Sequence, residues 1–276
     1  MTQFVLSLND GSKIPQLGFG TWQIPEEKTA AAVSTALTAG YRLIDTASVY
    51  GNETGVGKGI SALGVSREKI YVTTKLWNSH QGYDEALRAC DESLRRLKLD
   101  YVDLYLIHWP MPRRDRYLDS WRALIALKNE GRTRSIGVSN FQIPHLQRLL
   151  DETGVTPSVN QIELHPYFQQ RSLRAFHAQH GIVTESWSPL GQGGALLNDE
   201  RVLGIAQKHR KTAAQIVLRW HLDSGLITIP KSVRPERIRE NFQIFDFRLD
   251  AEDIALLDDL DNPRGRIGPD PDTADF

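Results

Sequence analysis

Val102-Asp103-Leu104-Tyr105-Leu106-Ile107-His108 is a short, mostly apolar run that stops on a polar residue, and the segment after it takes up helical periodicity. The same pattern recurs upstream in Tyr41-Arg42-Leu43-Ile44-Asp45 and Tyr71-Val72-Thr73-Thr74-Lys75, and downstream in Ser158-Val159-Asn160-Gln161-Ile162-Glu163. Along the whole chain such runs end at Gly20, Asp45, Lys75, His108, Asn140, Glu163, Ser188 and Lys231, at intervals of 23 to 43 residues. Each interval has room for a helix of about 10 to 15 residues and two connections. The longest holds two helices, Asp199–Arg210 and Thr212–Asp223, the second opened by Thr212 as its N-cap. Eight sequential βα units with no reversal predict an α/β fold, a closed (β/α)8 TIM barrel rather than a doubly wound sheet.

The flanks fit that frame. Phe4 to Leu8, Asn9-Asp10-Gly11-Ser12 and Lys13-Ile14-Pro15 read as an N-terminal β-hairpin, since Asp-Gly supports a turn with positive φ, and it would plug one end of the barrel. Ala251–Leu260 reads as an additional C-terminal helix, and Asn262–Phe276, rich in Pro, Gly and Asp, as an irregular tail. No composition shift marks a linker, so residues 1–276 are expected to form a single barrel domain.

Charge and cysteine content narrow the function classes. The chain has 276 residues, 33 Lys+Arg against 34 Asp+Glu, and a formal net charge of -1, which removes the reason to expect nucleic acid or an anionic membrane as the main partner. A small-molecule substrate is the better fit. One cysteine, Cys90, cannot form an intrachain disulfide or a structural zinc cluster. Residues Met1 to Asp10 lack a basic segment and a long apolar stretch, and no run approaches the ~18 apolar residues of a membrane span, so a cytoplasmic location is expected. Asn52-Glu53-Thr54 then matches the glycosylation pattern by chance.

Several motif matches fail on inspection. In Gly55-Val56-Gly57-Lys58-Gly59-Ile60, Ile60 stands where the dinucleotide pattern needs glycine, and Asn52 where the phosphate-loop pattern needs it. These glycines are expected to permit close helix packing instead. Gly137-Val138-Ser139-Asn140-Phe141 lacks the last glycine of a hydrolase elbow. His177 and His180, without a third ligand, are expected to be an exposed pair rather than a metal site.

In a (β/α)8 barrel the chemistry collects at the C-terminal ends of the strands, where Asp45, Lys75 and His108 fall, with Tyr50 in the loop after Asp45. Each has a bland reading alone: helix cap, surface charge, core histidine, core tyrosine. Together they supply what a phenolic acid needs, because a Tyr hydroxyl with an ordinary pKa near ~10 becomes a usable proton donor only if cations or donors stabilise its phenolate.

Over essentially its whole length the chain resembles the aldo-keto reductases, most closely the bacterial branch containing the 2,5-diketo-D-gluconic acid reductases. The resemblance rests on Leu17-Gly18-Phe19-Gly20-Thr21-Trp22, Gly40-Tyr41-Arg42-Leu43-Ile44-Asp45-Thr46-Ala47, Tyr50-Gly51-Asn52-Glu53, Thr74-Lys75-Leu76-Trp77, Leu104-Tyr105-Leu106-Ile107-His108-Trp109-Pro110, Ser135-Ile136-Gly137-Val138-Ser139-Asn140-Phe141, Asn160-Gln161-Ile162-Glu163 and Ile229-Pro230-Lys231-Ser232. It implies a catalytic tetrad of Asp45, Tyr50, Lys75 and His108, with Tyr50 as general acid and the Asp45/Lys75 pair lowering the phenol pKa. The implied reaction is reduction of an aldehyde or ketone; 2,5-diketo-D-gluconate, methylglyoxal and β-keto esters are substrates it suggests.

The resemblance also implies NADPH. Ser139, Asn140 and Gln161 suit a nicotinamide carboxamide, and Trp187, where most members carry Tyr, offers an indole to stack on the ring. Thr21 and Trp22 join them by the same likeness. The glycine-bearing loop Ser188-Pro189-Leu190-Gly191-Gln192 presents backbone N–H groups to a pyrophosphate. Lys231, Ser232, Val233, Arg234 and Arg237 read either as a solvated helix start or, by the resemblance, as a 2'-phosphate clamp, with Glu240 and Asn241 at the adenine end. Substrate would meet Trp22, Tyr50, Trp77, His108 and Trp109. The loop from Pro110 to Leu118 carries Arg113, Arg114 and Arg116, which read as solvated charge or as partners for the carboxylate of an acidic keto-sugar. The protein is expected to be monomeric. The alternative from another class is a non-catalytic NADP(H)-binding barrel that senses redox state, and the intact tetrad argues against it.

Overall fold

A computed structural model of the chain describes residues 4–276. Strands β1 (Val5–Ser7) and β2 (Lys13–Pro15) pair antiparallel with Leu6 opposite Ile14, as the Asp-Gly turn predicts. Eight parallel strands then follow in chain order around one sheet: β3 (Gly18–Gly20), β4 (Leu43–Asp45), β5 (Tyr71–Leu76), β6 (Val102–Ile107), β7 (Thr133–Ser139), β8 (Val159–Glu163), β9 (Val183–Trp187) and β10 (Ile227–Thr228). The sheet closes where Leu17 bridges Thr228 and the Gly20 N–H donates to the Pro230 carbonyl at 3.1 Å. This is the expected (β/α)8 barrel.

The predicted strand ends at Gly20, Asp45 and Glu163 coincide with the observed ones, and those at Lys75, His108, Asn140 and Ser188 miss by one residue. Lys231 lies beyond the end of β10 altogether. Pro230 has no N–H to give the ladder, so the strand stops early and Lys231 stands on the loop at the barrel mouth.

The helices between and after the strands are α1 (Glu26–Ala39), α2 (Glu53–Ser61), α3 (Tyr83–Leu97), α4 (Tyr117–Asn129), α5 (Ile143–Thr153), α6 (Arg171–Gln179), α7 (Glu200–His209), α8 (Ala213–Asp223), α9 (Pro235–Phe242) and α10 (Ala251–Asp258). Thr212 caps α8 as expected: its hydroxyl accepts the Gln215 N–H at 3.3 Å while Gln215 Oε1 accepts the Thr212 N–H at 3.0 Å. Asp250 and Asp253 cap α10 in the same reciprocal way. The glycines of α2 are packing glycines. A Cβ on Gly57 would run into the Leu97 carbonyl at the end of α3, and one on Gly55 or Gly59 into Thr29 or Val33 of α1.

Inside the barrel, Leu43, Tyr71, Leu104, Leu106, Val159 and Ile227 form one buried cluster with Leu8 and Ile14 of the hairpin, so the hairpin does close the N-terminal end. A Ser12 Oγ to Ser135 Oγ contact of 2.9 Å ties its turn to β7. The expectation of an exposed His177/His180 pair fails at His177. That ring is buried between α6 and the sheet, with Nε2 2.9 Å from Asn160 Nδ2 and Nδ1 2.8 Å from Thr184 Oγ1, and burial pushes its pKa down to about 3. No helix among the described residues is long and apolar enough to cross a membrane.

Candidate active site

The C-terminal ends of the strands surround a cavity of about 1150 Å³, slightly above the ~300–1,000 Å³ usual for a single small-molecule site. Asp45 ends β4, and a short helical turn, Ser48–Tyr50, lifts Tyr50 into the cavity wall. Two side chains fix that turn. Ser48 Oγ donates to the Lys75 carbonyl at 2.9 Å, and buried Asn52 donates to the Thr21 and Ile24 carbonyls at 2.9 and 3.0 Å while accepting from Thr46 Oγ1 at 2.9 Å. Gly51 completes the turn with φ of 68°, a conformation costly for other residues.

Behind Tyr50, Lys75 is 0% exposed; its Nζ donates to Asp45 Oδ1 at 2.6 Å and to the Thr46 carbonyl at 2.9 Å, and lies 5.2 Å from the Tyr50 ring centre. Burial opposes the ammonium most, but the Asp45 carboxylate, with smaller help from Tyr50 and Glu185, holds Lys75 above its ordinary pKa. For Tyr50 burial raises the phenol and Lys75 pulls it back, and the net direction is upward. The expectation of a lowered phenol is therefore corrected: desolvation wins, and Tyr50 stays protonated at neutral pH. His108 is held well below its ordinary pKa, first by burial and then by Lys75, so the imidazole is neutral. Its ring packs edge-on to Tyr50 and Trp77 at 5.7 and 5.1 Å, and its buried Nδ1 has no protein partner.

A hydrogen-bond chain runs from this cluster around the mouth. Gln161 Nε2 donates to Asp45 Oδ2 at 2.8 Å, and Ser139 Oγ donates to the Gln161 carbonyl at 2.9 Å. Asn140 Nδ2 donates to the His108 carbonyl and Ser139 Oγ at 3.0 and 3.1 Å, and Asn140 Oδ1 accepts the Trp187 indole N–H at 2.8 Å. Ser139, Asn140, Gln161 and Trp187 all line the cavity.

Of the other anticipated residues, Trp22, Trp77, Trp109, Ser188, Pro189, Leu190, Gln192, Lys231, Ser232, Arg237, Glu240 and Asn241 line it too. Thr21, Gly191, Val233 and Arg234 do not: Thr21 is buried behind the wall, its N–H and hydroxyl both on the Asp45 carbonyl at 3.0 and 3.1 Å. Lys231, Arg234 and Arg237 are exposed at the start of α9, and none has an ion-pair partner among the described residues, which leaves three cations free for an anionic ligand. No group of His, Cys, Asp or Glu among the described residues is arranged to hold a metal ion.

The arginine loop is exposed. Arg113 and Arg114 face Asp275 at 4.0 and 3.8 Å, Arg114 also donates to the Phe276 carbonyl at 3.3 Å, and Arg116 pairs with Glu85 at 3.3 Å. None of the three lines the cavity: Arg113 and Arg114 face the tail and Arg116 faces Glu85, which fits the reading as surface charge.

That tail supplies the residues sequence reasoning missed. The buried Glu163 carboxylate accepts the Ile267 and Gly268 N–H groups at 2.6 and 2.8 Å, bending the tail across the mouth beside Trp187. Phe276 then stacks on Trp77 at 5.8 Å and meets Trp109 edge-on at 5.2 Å. Trp109 is left only 7% exposed, whereas Trp22 is 44% exposed at the rim.

The comparisons with known proteins agree with this fold. Residues 16–262 match the model of the aldo/keto reductase family. The chain is an aldo/keto reductase. This reductase is 56% identical over 271 residues to methylglyoxal reductase DkgA of Yersinia pestis, covering 98% of this chain and 97% of that protein. Among solved structures it is similar to a mutant of Gox0644 in complex with NADPH, at TM-score 0.96 and 54% identity with both chains fully covered. A Bombyx mori aldo-keto reductase in complex with NADP superposes at TM-score 0.88 and 39% identity, covering 95% of this chain and 94% of that one. As a member of the family, the reductase is an oxidoreductase.

Proposed function

We propose that this reductase uses NADPH to reduce a small, uncharged aldehyde or ketone, methylglyoxal being the substrate of choice, and that Tyr50 donates the proton. The observation that carries the reading is the buried Asp45–Lys75 pair set against the Tyr50 ring in the wall of a cavity whose other end carries the unpaired cations Lys231 and Arg237. Bound NADPH supplies the hydride. Tyr50 protonates the carbonyl oxygen as negative charge develops there, and the ammonium of Lys75 stabilises the phenolate left behind. Neutral His108 directs a ring nitrogen at the same oxygen and fixes the carbonyl's orientation. Lys231, Arg234 and Arg237 hold the 2'-phosphate, which favours NADPH over NADH, while Ser139, Asn140, Gln161 and Trp187 receive the nicotinamide end.

The substrate preference follows from charge. With Arg113 and Arg114 turned to Asp275 and Phe276, and Trp22, Trp77, Trp109 and Phe276 around the mouth, the entrance suits a compact neutral dicarbonyl better than a keto-sugar acid. The Yersinia relative's name points the same way. Tyr50→Phe keeps the ring and removes the proton donor, so reduction of methylglyoxal should fall by at least about 10²-fold with NADPH binding retained. Near-normal turnover refutes the role. A panel of methylglyoxal, 2,5-diketo-D-gluconate and a β-keto ester at saturating NADPH tests the preference.

A further inference from the structure

Beneath the site lies a second carboxyl group. Val183, Glu185 and Trp187 alternate on one face of β9, and Val183 and Trp187 both pack against the cluster inside the barrel, so Glu185 points inward one layer below the mouth. It is 0% exposed, and neither carboxylate oxygen has a hydrogen-bond partner. Its neighbours along the sheet are Gln161 on β8 and Ile227 on β10, neither of them charged. The titratable groups acting on it from across the barrel are Asp45 of β4, Lys75 and Tyr71 of β5, and Tyr50 of the following turn.

Charge counting decides its form. The one buried cation in this layer, Lys75, already neutralises Asp45 at 2.6 Å. A second carboxylate would be an anion with no cation of its own and no hydrogen bond in the structure, which the interior disfavours strongly, so of the two carboxyl groups Glu185 carries the proton.

We propose that Glu185 is a positioning residue for the reduction: a neutral carboxylic acid under the Asp45–Lys75 pair, whose ionisation adds a negative charge there, weakens Tyr50 as a proton donor and sets the alkaline limit of the activity. The effect runs through Lys75 and Tyr50, so it rests on the reading of Tyr50 as the acid. Burial and the Asp45 carboxylate push the Glu185 carboxyl up to about 8, with Lys75 and Gln161 opposing, which places the change just above neutral pH. Below that the group is neutral; above it the added anion raises the phenol further.

The test is the pH profile of kcat/KM for methylglyoxal reduction, in the wild type and Glu185→Gln, together with the infrared difference spectrum between them. The wild-type rate should drop about three- to tenfold between pH 7 and pH 9 relative to the variant, whose alkaline limb should lie higher, as expected when the acid's pKa follows a nearby charge. The difference spectrum at pH 6.5 should show a protonated carboxyl carbonyl band that disappears as pH passes about 8. Glu185→Leu repeats both measurements should glutamine disturb folding. The same alkaline limb in wild type and variants, a rate loss equal at all pH, or no acid band at pH 6.5 would each overturn the proposal. The band is independent of Tyr50, so active Tyr50→Phe would sink the reading of the site while the spectrum still decides whether Glu185 is neutral.

Discussion

Asp45→Asn tests the electrostatics of the site most directly, because it removes one charge and almost no volume. In the wild type Lys75 is wholly buried with its Nζ 2.6 Å from Asp45 Oδ1, and Asp45 Oδ2 accepts from Gln161. Asparagine offers one acceptor oxygen, so either Lys75 or Gln161 then faces an amide NH2, donor against donor. Removing one partner of a buried pair costs about 3–5 kcal/mol, equivalent to about 2–4 units on the Lys75 pKa at 1.36 kcal/mol per unit. The pH dependence fixes the sign. Lys75 sits above its ordinary value in the fold, so its stabilisation is complete below about 10.5 and is lost only as pH rises through the folded value. In the variant burial is opposed only by the Thr46 carbonyl and by Tyr50 and Glu185, and the folded state shifts toward the neutral amine, so the deficit should be largest at pH 6 to 7 and shrink toward pH 9. Urea denaturation at three pH values measures it, and reduction of methylglyoxal at pH 7 should fall by at least about 10²-fold while NADPH still quenches the intrinsic fluorescence. A deficit under about 1 kcal/mol, or one independent of pH, would refute the argument that Asp45 keeps Lys75 charged.

Two other substitutions probe separate parts of the molecule. Arg237→Ala should weaken NADPH much more than NADH, since the lost charge-assisted contact involves only the 2'-phosphate, and equal weakening in fluorescence titrations would place the phosphate elsewhere. Gly57→Ala forces a methyl group onto the Leu97 backbone carbonyl, which cannot swing aside, and should cost about 1–3 kcal/mol in urea denaturation; a neutral result would mean that α2 and α3 separate easily.

What the sequence makes legible here follows from what each feature depends on. Asp45, Tyr50, Lys75 and His108 can be found because strand ends are marked by the change from apolar run to polar stop, and the fold brings all such ends to one rim. Glu185 escapes that logic. In Val183-Thr184-Glu185-Ser186-Trp187 the alternation places a carboxyl inward, and a charged residue in a strand is ordinarily assigned to the surface. His177 escapes for the same reason, its polarity being absorbed by Asn160 and Thr184, which lie far from it in sequence or on another element. The tail is illegible for a different cause: no periodicity governs residues 262–276, and their path is set by Glu163 and by the aromatic faces of Trp77 and Trp109. Until that path is known, Arg113 and Arg114 look like free charge.

The hydrogen-bond chain around the mouth gives the tryptophan at position 187 a consequence beyond stacking. An indole N–H can only donate, so Asn140 must turn its Oδ1 toward Trp187 and its Nδ2 toward Ser139 and the His108 carbonyl. At the other end the Asp45 carboxylate can only accept, so Gln161 must turn its Nε2 inward and keep its Oε1 for whatever enters the cavity. Both amides therefore have a single orientation dictated by an obligate donor and an obligate acceptor. A tyrosine in place of Trp187 could donate or accept, and would leave Asn140 free to flip. On this reasoning the carboxyl that holds Lys75 charged also fixes the amide proposed to meet the nicotinamide, and the proposed proton donor and cofactor end form one connected network rather than two neighbouring ones.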